Sequence, residues 1–418
     1  MPASFLLLLA AQFASALGDN ALLIVTIGML QERAMPGWLA PMLKVAFITA
    51  YVLLAPFVGP LADSLPKAKL MTWMNAIKIC GVVALIVGVH PVTAFLLVGI
   101  GAAAYAPAKY GLATELVRCD QLVAANAWIE TVTVCAVLLG TALGGFLVSP
   151  WLMVHAGQVV GDAFDPVLPS LLILLGVYVL AGALNLGVPD SGVRHAIESL
   201  HPIAMMNDFA QANRRLWGDR DGGLSLAVTT IFWGVGATLQ FAVLRWGRET
   251  MHLSLDRAAF MQAAVAVGVV AGAVTAGRWV PLVHARRMLY AGVMFGLLMI
   301  IAAFTTQPNL AVALLIVVGA LGGLMVVPLN ALLQDRGNAL LSPGRSIAVQ
   351  GGSENASVLV CLSLYSALVA AEVPLVVLMA GLGVCVAVAL GTLLIRQQAR
   401  DRRAAAVQTA EWRAEAKA

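Results

Sequence analysis

The sequence predicts an all-α membrane protein: twelve transmembrane helices in two pseudo-repeated six-helix bundles. Three observations lead there. The 418-residue chain is 61% hydrophobic and only 11% charged, where soluble chains carry about 25% charged residues. Its apolar residues fall into twelve charge-poor runs, each close to the roughly 20 residues a spanning helix needs. The second half also repeats signals of the first in matching places, as bundles enclosing a midplane cavity do. The bundles are expected over 1–189 and 223–396, with a central loop at 190–222 and a basic tail at 397–418.

The first run lies near 4–30 and superficially reads as a secretory leader, with Leu6–Ala10 ahead of Ala14, Ser15 and Ala16. No Lys or Arg precedes it, and the apolar stretch continues past Asp19 to Leu30, so it is expected to be an uncleaved first span. Runs follow near 40–62, 71–89, 92–115, 123–149 and 167–188. The longest polar connection then extends from Asp190 to Gly222. Within it Ile203, Met206, Phe209, Leu216 and Trp217 fall at near-helical spacing beside Arg214 and Arg215. That pattern predicts a short amphipathic helix on the membrane surface. The second set of runs lies near 223–246, 257–277, 287–305, 309–331, 345–370 and 373–396. The tail from Arg396 mixes basic residues with alanines and suits a juxtamembrane helix against anionic lipid.

Charge bias gives the orientation. With both termini cytoplasmic, 18 of the 25 Lys and Arg fall on the inside, five fall outside, and Lys78 and Lys109 lie within spans. Several chemistries are excluded. The five cysteines are scattered without a C-x-x-C pair, and the six histidines form no ligand cluster. No P-loop is present, and no His–carboxylate motif marks an acyltransferase. No metal, cofactor or nucleic-acid partner is expected.

The informative residues are charges inside spans. Asp19 and Asn20 interrupt the first run and Lys109 the fourth. A charge near mid-bilayer costs at least ~2.5–3.5 kcal/mol on insertion scales, so it faces a bundle interior or a wet cavity. Opposite charges on separate spans suit a solute that is itself both positive and negative. The alternative is that Asp19 and Lys109 neutralise one another. Lys78, near the end of its span, is expected to snorkel towards the surface. Glu130 and Glu354 occupy equivalent places in the two halves. Pro107 and Lys109 followed by Glu130 correspond to Pro328 and Asn330 followed by Glu354. Gly59 with Pro60, Asp63, Lys67 and Lys69 likewise corresponds to Gly277 with Pro281, Arg286 and Arg287.

The Gly59–Lys69 segment resembles the loop motif of the major facilitator superfamily, G-x-x-x-D-x-x-x-[KR]-x-[KR]. The resemblance implies that Gly59, Asp63, Lys67 and Lys69 act in a cytoplasmic gate, with Asp63 capping the next helix or pairing with a cation. Longer strings at Ala11–Leu23, Gly101–Gly111, Val327–Gly337 and Ala348–Asn355 resemble the bacterial lysophospholipid transporter family. That resemblance implies a flippase in the bacterial inner membrane, monomeric, carrying lysophospholipids such as lysophosphatidylethanolamine to the cytoplasmic leaflet. A partner acyltransferase would reacylate them there. On this reading Lys109 meets the phosphate, Asp19 and Glu354 the head-group ammonium, and Asn20 and Asn355 the glycerol oxygens. Glu130 and Gln240 are candidates for substrate contact or coupling. Gln240 departs from the family, whose members carry an arginine there. A proton-coupled exporter of drugs or small solutes is the competing function.

Overall fold

A computed structural model describes residues 2–36, 39–149, 152, 167–193, 201–253 and 255–415. Among them are thirteen α-helices, twelve spans long and apolar enough to cross a membrane. The first half comprises α1 (Ala3–Glu32), α2 (Leu39–Ser64), α3 (Lys67–Ile86), α4 (Pro91–Leu116), α5 (Leu122–Leu147) and α6 (Leu168–Leu186). After α7 (Pro202–Gly218) come α8 (Arg220–Glu249), α9 (Leu255–Trp279), α10 (Leu289–Ala303), α11 (Pro308–Leu340), α12 (Pro343–Ala370) and α13 (Leu375–Glu415). An even number of spans puts the start of α1 and the exit of α13 on one side, called here the terminus face. Arg194 and Lys417, both counted in the expected inside set, lie outside the described residues.

Most helix ends fall within a few residues of the expected spans. Two differ more. α11 continues to Leu340, and α13 runs unbroken past Arg396 to Glu415, so no chain break separates the last span from the tail. The expected amphipathic helix is α7. Its Leu216 and Ala212 are buried against Leu333 and Val349, while Ile203, Met206 and Trp217 stay 63%, 55% and 42% exposed. Asp208 of α7 pairs with Arg345 at 3.2 Å. Asp219, between α7 and α8, caps α8 by accepting from the Gly222 amide at 2.8 Å and also takes the Arg336 guanidinium at 2.8 Å. The Arg336 contact, aided by the capped amides, holds the Asp219 carboxyl down at about 2. α7 is thus a strap fixed to the second bundle and lying across α2.

Within the second bundle α9 and α11 lie in backbone contact. Gly268 and Gly272 face Gly319 and Gly323, and a methyl group at Gly272 would overlap the Ala320 carbonyl. Small residues four apart on each helix permit this approach, which replaces the hydrophobic driving force that lipid does not supply.

The bundles meet along α2–α12 and α5–α9, related pairs in the two halves. A Cβ on Gly59 of α2 would sit 3.0 Å from the Arg345 Cα of α12, and one on Gly277 of α9 would sit 2.5 Å from the Ala127 Cβ of α5. The corresponding glycines therefore make corresponding contacts. Asp63 departs from the expectation that it caps the next helix. Its carboxylate instead accepts from the Gly344 amide at 2.8 Å, the Arg345 amide at 3.1 Å and the Ser342 hydroxyl. It caps α12, in the opposite bundle. Its counterpart in the repeat is Pro281, which has no such side chain, so the device is one-sided. The segment is not a solvated loop. Asp63 and Lys67 are 2% and 1% exposed, and Lys67 pairs with Glu115 at 2.8 Å. Lys69 alone of the motif's charges is exposed.

Above this seal the bundles part. In α12, residues 346–350 are all buried, whereas from Gly351 to Ala370 only Val358 is. At the far end Lys44 lies over the half-exposed Phe241 ring at 5.6 Å, a looser contact than the carboxylate cap. The molecule is closed at the terminus face and opens away from it.

Two outcomes test this packing. Asp63→Ala removes a cap worth ~1–2 kcal/mol, so the closed terminus face should lose about tenfold in population. Pulsed spin-label distances between Lys69→Cys and Arg287→Cys, in a cysteine-free background, should then show a new, longer component. Gly272→Leu should abolish folded yield in detergent, whereas the same change at Gly236, where a Cβ meets open space, should be tolerated.

Candidate functional site

Two polar groups lie along the cleft, directly above its floor. The floor is the reciprocal amide pair of Asn126 (α5) and Gln334 (α11), with hydrogen bonds of 2.8 and 2.9 Å. One helical turn further in, Glu130 follows Asn126 on α5 and Asn330 precedes Gln334 on α11. Lys109, Glu130, Asn330 and Glu354 all lie roughly 10–17 Å along their helices from the terminus face, at the rise of 1.5 Å per residue.

The first group centres on Asp19 (α1). Its carboxylate accepts from Lys78 Nζ at 2.7 Å and from the Tyr178 hydroxyl at 2.8 Å. Lys78 also donates to Ser15 Oγ at 2.9 Å, and Ser15 donates to Asn75 Oδ1 at 3.0 Å. The Tyr105 and Tyr178 rings lie 5.4 and 5.8 Å from the ammonium. Two expectations are thereby corrected. Lys78 does not snorkel: it is 2% exposed, because an inward-facing carboxylate answers its charge where it stands. Nor do Asp19 and Lys109 neutralise one another, since Asp19 pairs with Lys78. The signal was present in the spacing. Ser15 and Asp19 are four apart and Asn75 and Lys78 three apart, so each pair shares a helix face.

The second group centres on Lys109 (α4). It is 7% exposed and lies 4.1 Å from the Tyr110 ring centre. Glu130, Lys78 and Asp19 act on it electrostatically. Among the described residues its ammonium has no hydrogen bond or ion pair. Tyr110 in turn lies within the fields of Glu130, Glu354 and Tyr51, which brings both carboxylates to the same region from opposite bundles. Glu354 is tied into the second bundle. Gln350 Nε2 donates to Glu354 Oε1 at 2.8 Å and to Asn330 Oδ1 at 2.9 Å, and Thr229 lies beside the same carboxylate. The repeat therefore differs in its chemistry. The Lys109 position carries a cation without a partner in the first half and a partnered amide, Asn330, in the second.

Asn20 and Asn355 are half-buried, and each turns its amide back on its own helix, to Ala16 O and Gly351 O, both at 2.8 Å. Their oxygens remain free to accept. Gln240 is exposed near the outer end of α8, where its backbone carbonyl takes the Gln262 amide at 2.5 Å. It does not join the central groups. Arg245 does not replace the family's arginine either, being held by Glu249 at 2.5 Å. Sequence reasoning missed Lys78, Tyr178, Tyr110 and Gln350. For the tyrosines and the glutamine only the fold supplies the partner.

Residues 8–342 match the model of the Major Facilitator Superfamily. A protein of Pectobacterium carotovorum named lysophospholipid transporter LplT is 43% identical over 86% of this chain and 85% of its own. One of the same name from Yersinia pestis is 40% identical over 89% and 88%. The chain belongs to the major facilitator superfamily, and within it to the LplT family. It is a transporter and not an enzyme. Solved structures agree on the fold. The fucose:proton symporter of E. coli superposes with a TM-score of 0.73 at 14% identity, covering 94% of this chain and 98% of its own. A bacterial homologue of the iron transporter ferroportin does so with 0.71 at 14%, covering 95% and 100%.

The buried pair gives a prediction. Lys78→Met leaves Asp19 buried without its cation, which typically costs ~3–5 kcal/mol. Thermal unfolding in detergent should show a large loss of stability. The double variant Asp19→Asn with Lys78→Met should recover most of it.

Proposed function

We propose that this transporter carries lysophospholipids, with lysophosphatidylethanolamine as the representative substrate, from the periplasmic to the cytoplasmic leaflet of the bacterial inner membrane. The observation that carries the reading is Lys109, a desolvated ammonium with no anionic partner, set in a cleft with two carboxylates near by. An ammonium in low dielectric attracts a phosphate strongly. In the neighbouring chemistry, Glu354 and Glu130 suit the ethanolamine ammonium, and the free oxygens of Asn20 and Asn355 suit the glycerol hydroxyl. Asp19 is occupied in holding Lys78. The acyl chain needs no polar partner.

The charge bias supports a cytoplasmic terminus face, with both termini inside. The cleft then opens towards the periplasm, where a lysophospholipid would enter. Parting of the Asp63 cap and the Asn126–Gln334 pair, with closure of the far end, would release it inward for an acyltransferase to reacylate. Both Asp19 oxygens are engaged, so this carboxylate is not a vacant proton carrier, which favours downhill movement over proton coupling. The transporter is expected to work as a monomer, since each cleft is complete within one chain.

The test is uptake and reacylation of radiolabelled lysophosphatidylethanolamine in spheroplasts of a transporter-deficient strain. The native chain should restore uptake, and an uncoupler should change the rate by less than about twofold. Lys109→Ala should reduce uptake at least a hundredfold at equal expression, the order expected when a charged hydrogen bond of ~3 kcal/mol is lost. Glu354→Gln should reduce it less for a glycerol head group than for ethanolamine. A native chain that restores nothing, or uptake that collapses with the proton gradient, would instead favour the proton-coupled exporter.

A further inference from the structure

At the terminus face, away from the central cleft, lies a cavity of about 260 Å³ between the end of α7, the first turns of α8 and the stretch of α13 from Leu393 to Arg400. Trp217, Arg220, Gly223, Arg396, Gln397 and Arg400 are among the residues that line it. From α13, Arg396, Gln397 and Arg400 come at i, i+1 and i+4, and therefore share one helix face. The acids near by are already engaged. Asp219 is held by Arg336 and the start of α8, Asp221 by Arg286 and Asp401 by Arg220. Arg396 and Arg400 have no acidic partner among the described residues, and the Arg220 Nε is buried without an acceptor. Gln397, with its amide oriented to suit its neighbours, accepts from Arg220 and Arg286. The cavity is a concave set of guanidinium donors that its own carboxylates do not complete.

Its depth selects the ligand. By length and composition the seventh candidate span begins with α8 at Arg220, so the basic cavity at its start belongs to the head-group level of a bilayer. Half-exposed Trp217 and the exposed Ile203 and Met206 of α7 are residue types that settle at that interface. We propose that this cavity is a binding site for the head group of an anionic phospholipid of the inner leaflet, separate from the transport cleft. Arg396 and Arg400 grip the phosphate, with the Arg220 Nε as a further donor. Since α7 is bound to α12 through Asp208–Arg345 and to α11 through Asp219–Arg336, a lipid seated here bears on the strap beneath the second bundle.

The experiment uses the purified full chain in a neutral detergent and follows its thermal midpoint during titration with phosphatidylglycerol, phosphatidylcholine or inorganic phosphate. Phosphatidylglycerol should raise the midpoint saturably, and the other two should not. Arg396→Gln with Arg400→Gln should weaken that response roughly thirtyfold, at about tenfold for each 1.4 kcal/mol and ~1 kcal/mol per basic residue. Arg402→Gln, two residues on, about 200° around the helix from Arg400 and exposed, should leave it unchanged. The double variant must first show native helicity and a native, monodisperse elution profile in detergent. If it does not, Arg396→Lys with Arg400→Lys, which keeps the charge, replaces it and should retain most of the response. An equal response to phosphatidylcholine would overturn the proposal, as would one reproduced by phosphate alone or one that survives in the double variant. None of these readings depends on the transport assay, so failure of the substrate assignment and failure of this site are distinguishable.

Discussion

A charge held inside a membrane bundle has to be answered there, and this fold is organised by which charges are answered. Asp19 and Lys78 satisfy each other, with Tyr178 and Ser15 completing their hydrogen bonds. Lys67 is answered by Glu115 and Asp63 by the amides of α12. Lys109 is held by an aromatic face and a neighbouring field, without a hydrogen bond. Removing a charge from water costs several kcal/mol even after relaxation, and the unpaired case persists where a ligand returns that interaction. The other buried ion pairs fix helices. Lys109 alone among these intramembrane charges has neither a hydrogen bond nor an ion pair among the described residues, which is why we propose it as the receptor for an anion.

The same logic links the cleft to its closure. Asp63 caps the first turn of α12, and Gly351 to Ala370, beyond that seal, carry Glu354 and Asn355 in partly exposed positions. α12 is thus gripped at one end and lines the cleft further along. The Asn126–Gln334 pair does for α5 and α11 what the cap does for α2 and α12, but with neutral amides whose exchange for water costs less. A rocking motion therefore has one strong and one weak contact to release, both on the same face. The strap α7 adds ion pairs at the interface, outside the apolar layer. Such partly exposed pairs contribute little individually and restrain the geometry more than the stability.

Much of this was legible in the sequence. Hydrophobic length alone gave twelve spans with ends close to those observed, because a bilayer imposes one length on every helix. The correspondence of Gly59 with Gly277 was readable in the sequence, but not that both would sit at the contacts joining the bundles. The Gly268–Gly272 and Gly319–Gly323 spacings were equally readable as a close-packing signal. The pairing of charges was less legible. Lys78 reads as a snorkelling residue when only its distance from the helix end is considered, and the acid that keeps it inside comes from another helix. Asp63 reads as a cap, but its target lies 281 residues away at the Gly344 amide, and no local pattern identifies it. Tyr110 and Gln350 carry no signal as single residues. Their roles follow from the juxtaposition of α4, α5 and α12.

The most direct test of Lys109 as a phosphate receptor is equilibrium binding to the purified transporter, with ligands that differ in that group alone. Lysophosphatidylethanolamine and the monoacylglycerol of the same acyl chain would be compared on the native protein and on Lys109→Gln. The account predicts that the phosphate-bearing lipid binds native protein at least tenfold more tightly and that Lys109→Gln erases the difference while leaving monoacylglycerol binding intact. Equal affinities on native protein, or a preference that survives Lys109→Gln, would contradict it.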